Sequence, residues 1–147
     1  MTLRNRLAAL FALLVLAACG GGPVKRVSPP TASVQELAVQ ADGSWRLLLR
    51  VQNFSNVSMT FDRLEATLSM AGRETGKLST ALHLDIAPAS ADVFEVRIAP
   101  AAGTRLERAD IVYALEGRIT TSEPKGDYPF ERSSRLSPVP GLADTWR

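Results

Sequence analysis

Few residues in this chain have side chains suited to chemistry. It has one cysteine, Cys19, and one histidine, His83. A thiolate can serve as nucleophile or metal ligand and an imidazole as general base, but each needs partners at set positions. Serine–histidine–acid catalysis would have to run through His83, and no Gly-x-Ser-x-Gly or Ser-x-x-Lys motif supplies the serine. A metal site on His83 would need Asp85 or Asp92, and neither stands at a ligand spacing. The carboxylates Asp62, Glu65, Asp110, Glu116, Glu123, Asp127 and Glu131 are scattered singly. Two carboxylates about 5–9 Å apart would suit glycoside hydrolysis, but nothing in the spacing gathers a pair. No glycine-rich phosphate loop is present. The expectation is a protein that is not an enzyme and holds no metal.

Charge excludes a second class. The formal net charge is +2 and the isoelectric point near 9.0, values that taken alone point toward a nucleic-acid binder. Two of the 17 basic residues, Arg4 and Arg6, lie in the first six positions, and without them the bases only balance the 15 acids. The longest basic run after that is Lys25-Arg26. Binding a phosphate backbone requires clustered Lys and Arg, so no nucleic-acid partner is expected.

The purpose of the lone thiol is written in the residues before it. Met1 to Arg6 is basic, and Leu7 to Ala18 is an unbroken apolar run, as in a secretory signal. A helix of about 12 residues at ~1.5 Å each reaches about 18 Å, short of the ~30 Å hydrocarbon core. The run is therefore a leader rather than a permanent span. It ends in Leu16-Ala17-Ala18-Cys19, which resembles the lipobox of bacterial lipoproteins. The resemblance implies cleavage after Ala18, with a diacylglycerol on the sulfur of Cys19 and an N-acyl chain, such as palmitate, on its new amino group. No other cofactor is implied. Gly20 stands where Asp would resemble an inner-membrane retention signal. The expected location is the cell envelope, lipid-anchored in the outer membrane and facing the periplasm.

Residues 1–18 thus read as signal peptide and 19–30 as a tether. The stretch Gly20 to Pro30, rich first in Gly and then in Pro, has no apolar pattern to pack. Beyond it the period becomes two. Trp45, Leu47, Leu49 and Val51 share one face of Ser44–Gln52, and Asp42-Gly43 predicts a hairpin back to Val34–Gln40. Phe94, Val96 and Ile98 alternate, as do Ile111, Tyr113, Leu115 and Ile119 within Ala109–Thr121, and Tyr128 and Phe130 within Asp127–Leu136. Leu64–Met70 fits either period, but the threonines and the glycines at 72 and 76 favour a strand pair turning near Ala71-Gly72. Leu78–Ile86 reads as a further strand, ended by Pro88.

Seven or eight short strands with turn residues between them predict an all-β domain over residues 31–136, an antiparallel immunoglobulin- or fibronectin-III-like β-sandwich. Residues 137–147 form a Pro-rich tail, in which Leu142 and Trp146 are expected to lie back over a sandwich edge.

Val51-Gln52-Asn53-Phe54-Ser55-Asn56, followed by Leu64, Leu68, Gly72 and Gly76 at four-residue steps, resembles a late-embryogenesis-abundant (LEA) type 2 domain, which overlaps the WHy domain. That family has a strand ending in Asn-Pro-Asn, whereas Phe54-Ser55 replaces the proline here. The likeness covers residues 31 to about 100. It implies a fibronectin-like sandwich with a stress-related or unassigned role and no catalytic residues to transfer. In physical terms Asn53 and Asn56 are expected to shape the strand exit, since Asn side chains bond nearby backbone and tolerate turns. The expected partners are a membrane, through the lipid, and another envelope protein added at an exposed strand edge. A lipid- or small-ligand-binding module with an apolar gap between its sheets is the alternative.

Overall fold

The alternating segments become eight strands in two antiparallel sheets of four. The computed structural model describes residues 21–147, so Leu16, Ala17, Ala18 and Cys19 lie outside the described residues. The strands are β1 (Thr31–Val39), β2 (Trp45–Gln52), β3 (Met59–Met70), β4 (Arg73–Ile86), β5 (Ala91–Ile98), β6 (Ile111–Glu123), β7 (Lys125–Leu136) and β8 (Thr145–Trp146). One sheet runs β5-β2-β1-β8 and the other β4-β3-β6-β7. The predicted β-sandwich is what forms.

The inner faces are those the alternation marks. Trp45, Leu47, Leu49 and Val51 of β2 face Leu64, Leu68 and Met70 of β3 and Tyr113, Leu115 and Ile119 of β6, all buried. Burying a large aliphatic or aromatic side chain contributes about 1.5–3 kcal/mol, so this core needs no disulfide. The β1–β2 hairpin turns at Gly43 with φ 82°, where Asp42 accepts hydrogen bonds from the Ser44 amide and hydroxyl at 2.9 and 2.6 Å. Ala71 and Gly72 both adopt positive φ, 48° and 77°, in the β3–β4 turn. Such a two-residue turn matches the twist of its flanking strands.

Three details differ from the sequence expectation. The pairing after the β3–β4 turn continues to Ile86, so Arg73–Ile86 is one 14-residue strand rather than two pieces. Within β1 the register shifts between Val34 and Glu36, leaving Gln35 as a bulge. Period two therefore fails there, and Val34 and Leu37 are both inward. The Tyr113 hydroxyl bridges the irregularity, accepting from the Val34 amide at 3.1 Å and donating to its carbonyl at 3.3 Å.

The third difference is the tail, which is part of the sandwich. After β7 it loops back and adds β8 to β1, pairing Trp146 with Leu37. Ser137 and Arg147 exchange backbone hydrogen bonds at 2.6 and 2.9 Å, and Arg108 donates to the carbonyls of Val139 and Leu142. Trp146 is buried, as expected of it. Leu142 is 49% exposed, because its carbonyl rather than its side chain makes the contact.

Candidate functional site

The best-built polar constellation lies at the end of the sandwich where the chain enters, in the turn between β2 and β3. Asn53 leaves β2 fully buried. Its amide nitrogen donates to the carbonyls of Val57 at 2.9 Å and of Ile86 and Ala87 at 3.1 Å each. Its side-chain oxygen accepts the Ser55 amide at 2.8 Å. One side chain thus ties the strand exit to the end of β4, satisfying backbone groups that burial would otherwise leave unpaired.

Ser55 and Asn56 extend this clasp to the entering chain. The Ser55 hydroxyl oxygen accepts the Ser28 amide at 2.8 Å, and its hydroxyl lies 3.3 Å from the Ser28 carbonyl. Asn56 accepts the Arg26 amide on its side-chain oxygen at 2.6 Å and donates to the Val24 carbonyl at 2.8 Å. Its own amide donates to the Arg26 carbonyl at 3.1 Å. The segment expected to be a free spacer as far as Pro30 is instead held from Val24 onward, and Pro30 is buried. Hydrogen bonds to its backbone, which need no apolar pattern, fix this segment. Phe54 is the one side chain of the turn segment Asn53–Asn56 that faces outward with a large apolar surface, 51% exposed.

The glycines have separate roles. Gly72 supplies positive φ at its turn. Gly76 lies where β4 meets β5 across the sandwich, and an added Cβ would stand 2.9 Å from the Ile98 side chain. The Ala101 amide donates to the Thr75 carbonyl beside it at 2.7 Å, closing that corner.

The outer face of the β5-β2-β1-β8 sheet carries a ladder of alternating charges missed in the sequence reading. The Glu36 carboxylate, nearly buried, receives Arg46 at 2.5 Å and Arg147 at 2.6 Å. Arg46 reaches on to Glu95 at 3.6 Å, and Glu95 to Arg97 at 3.6 Å. Burial pushes the Glu36 carboxyl up, but the Arg147 and Arg46 guanidinium groups outweigh it and hold it below the ordinary value of 4.5. Its partners stand 10 and 111 residues away in sequence, a separation no local pattern reveals.

Of the residues weighed for chemistry, Glu116 and Glu131 are brought directly opposite each other across β6 and β7, both exposed on the open face of the sheet, a pairing their separate places in the sequence did not indicate. His83 is exposed on edge strand β4. Asp85 accepts the Thr60 hydroxyl at 2.7 Å, and Asp92 the Val93 amide at 2.8 Å. Asp62 accepts the Ser122 hydroxyl, and Asp110 pairs with Arg135. Arg118 bonds Asp127 at 2.7 Å and holds its carboxyl below the usual range. Among the described residues no three His, Cys, Asp or Glu side chains gather as a metal set, and no helix is long and apolar enough to cross a membrane. An open cleft of about 810 Å³ lies at the far end, between the β3–β4 turn and the 99–110 loop. Its lining mixes Arg73, Glu74, Arg105 and Glu107 with Ile111 and Val112.

The sequence matches no family model and no curated protein. Solved structures share the fold. The chain is similar to the solution structure of AT1g01470 from Arabidopsis thaliana, with TM-score 0.51 and 18% identity over 84% of this chain and 86% of that one. Weaker overlaps are with an X-ray structure of the structural-genomics target SoR45 and with a solution structure of At2g46140.1, provisionally assigned there as a late embryogenesis abundant (LEA) protein. SoR45 gives TM-score 0.47 and 12% identity over 80% of this chain and 92% of that one. At2g46140.1 gives TM-score 0.42 and 16% identity over 95% and 90%.

Proposed function

We propose that this chain is a lipid-anchored envelope lipoprotein, held by diacylglycerol and an N-acyl chain on Cys19, whose LEA type 2-like sandwich acts without catalysis as a protein-interaction or stress-protective module. The observation that carries the proposal is the leader ending in Leu16-Ala17-Ala18-Cys19, which accounts for both the short apolar run and the only thiol. One acyl chain anchors a protein only marginally, whereas two or three make release slow. Gly20 favours the outer membrane, facing the periplasm. The LEA type 2 part of the reading is supported by the strand exit at Asn53–Asn56 and the glycines at 72 and 76.

Partner binding by strand addition is supported by the free edges. Among the described residues β5 pairs only with β2 and β4 only with β3, and β5 carries Val93, 49% exposed. β7 is guarded by Pro129 and by Glu131, Arg132 and Arg135, the usual protection against promiscuous pairing. An apolar ligand gap between the sheets gains no support, because Trp45, Phe61 and Tyr113 are buried in that space.

The test is the variant Cys19→Ser, followed by fractionation of the cells. The expected result is loss of the processed protein from the membrane fraction and of labelling by an acyl-chain analogue. Membrane recovery and labelling equal to the unaltered protein would refute the proposal.

A further inference from the structure

We infer that the β2–β3 end of the sandwich rests against the bilayer, with Phe54 entering the headgroup layer. This rests on the lipid-anchor reading and adds an orientation to it. Five peptide links separate Cys19 from Val24, a span of at most about 18 Å. Asn56 grips the chain at that point by the Val24 carbonyl and both backbone polar groups of Arg26. Without the grip, the chain from Cys19 to the start of β1 at Thr31 could reach about 40 Å and let the domain turn freely. With it, the entry end is the only end the anchor can hold close to the membrane.

That end carries the apolar surface such a position favours. Phe54 is 51% exposed although both neighbours, Asn53 and Ser55, are buried, so the clasp fixes an aromatic ring outward. Val24 and Val27 of the gripped segment are 84% and 42% exposed. Leaving large apolar groups in water is unfavourable, and aromatic rings are at home at a membrane interface. Lys25 and Arg26, between the two valines, have stems long enough to keep their charges among headgroups while the apolar groups sit deeper. The bases at this end, Lys25, Arg26 and Lys125, are matched by the acids Asp85, Asp92 and Glu123, so the attraction is apolar rather than a net positive field.

The experiment uses the acylated full chain, purified from membranes and returned to vesicles of phosphatidylethanolamine and phosphatidylglycerol. Because Cys19 is blocked by lipid, Phe54→Cys and, as a far-end control, Leu142→Cys each give one labelling site for a polarity-sensitive dye. Lipids with a nitroxide near the headgroup serve as quencher. The inference expects several-fold stronger quenching and a blue-shifted emission at position 54 relative to 142. It also expects Asn56→Ala to return the position-54 signal toward that of 142 while the protein still floats with vesicles. Flotation with equal, solvent-like signals at both positions overturns the orientation and leaves the anchor intact. Failure to float, with no acyl mass on Cys19, overturns the anchor reading and the orientation together.

Discussion

Replacing Asn53 with alanine tests how much the clasp holds the fold together. The side chain donates to three carbonyls and accepts one amide. Its amide has only two hydrogens, so one of the three donated contacts is shared, and the loss amounts to about three full hydrogen bonds. At about 1 kcal/mol net each, with the freed groups buried, Asn53→Ala is expected to cost about 3 kcal/mol. That is a large fraction of the stability of an ordinary domain. Urea unfolding of the leaderless protein is the assay. With a slope of about 1.5 kcal/mol per molar urea, the midpoint should fall by about 2 M with the slope unchanged. Asn53→Asp should do no better near neutral pH, since a carboxylate would point acceptor lone pairs at carbonyl oxygens. A midpoint shift below about 0.3 M for the alanine variant would refute the reasoning, because the carbonyls of Val57, Ile86 and Ala87 would then be satisfied without it.

Glu36 gives a pH prediction with a definite sign. Its folded-state pKa is depressed below 4.5, so its pairing stabilises the fold above that value and is lost as pH falls through the lower folded value. Glu36→Gln should therefore lower stability at pH 7 and flatten the acid limb of a stability–pH curve, read by thermal melts across pH 2–7. Gly117→Ala places a Cβ against the Glu65 carbonyl and 2.6 Å from the Ala66 Cα of β3. Only backbone movement can relieve that overlap, so a loss of about 1–3 kcal/mol is expected in urea unfolding. Trp146→Ala removes the buried anchor of β8 and should cost about 3–5 kcal/mol. Trp146→Phe should cost less, since among the described residues the indole N–H has no hydrogen-bond partner to lose.

The parts of the fold legible in sequence are those where one face of a strand is dry and the other wet. β2, β5 and β6 show that alternation, and the Asp42-Gly43 and Ala71-Gly72 turns carry residues that tolerate positive φ. Leu64–Met70 is ambiguous in sequence because Leu64, Leu68 and Ala71 also fit a helix. Pairing on both sides, with β4 and with β6, resolves it as strand. In β1 the bulge at Gln35 breaks the period, so alternation points to a start at Val34 rather than at Thr31. β8 is two residues long and has no period to read.

In the clasp, the two asparagines drew attention by type, but their partners did not. Asn56 meets backbone atoms 30 and 32 residues earlier, and backbone groups carry no sequence signature. Ser55 was hidden for a related reason. In sequence it interrupts an Asn-Pro-Asn pattern, whereas in the fold its hydroxyl oxygen holds the Ser28 amide. Gly117 gave no signal either, since only the close approach of β3 to β6 demands a residue without a side chain.

Lipid anchoring depends on the state of one sulfur atom, that of Cys19, and mass spectrometry of the N-terminal peptide from membrane-extracted protein examines it directly. The predicted result is a peptide beginning at residue 19, heavier than its amino acids by a diacylglyceryl group and, where the amino group is acylated, one further chain. A peptide beginning elsewhere, or one beginning at Cys19 with a free thiol, would contradict the account.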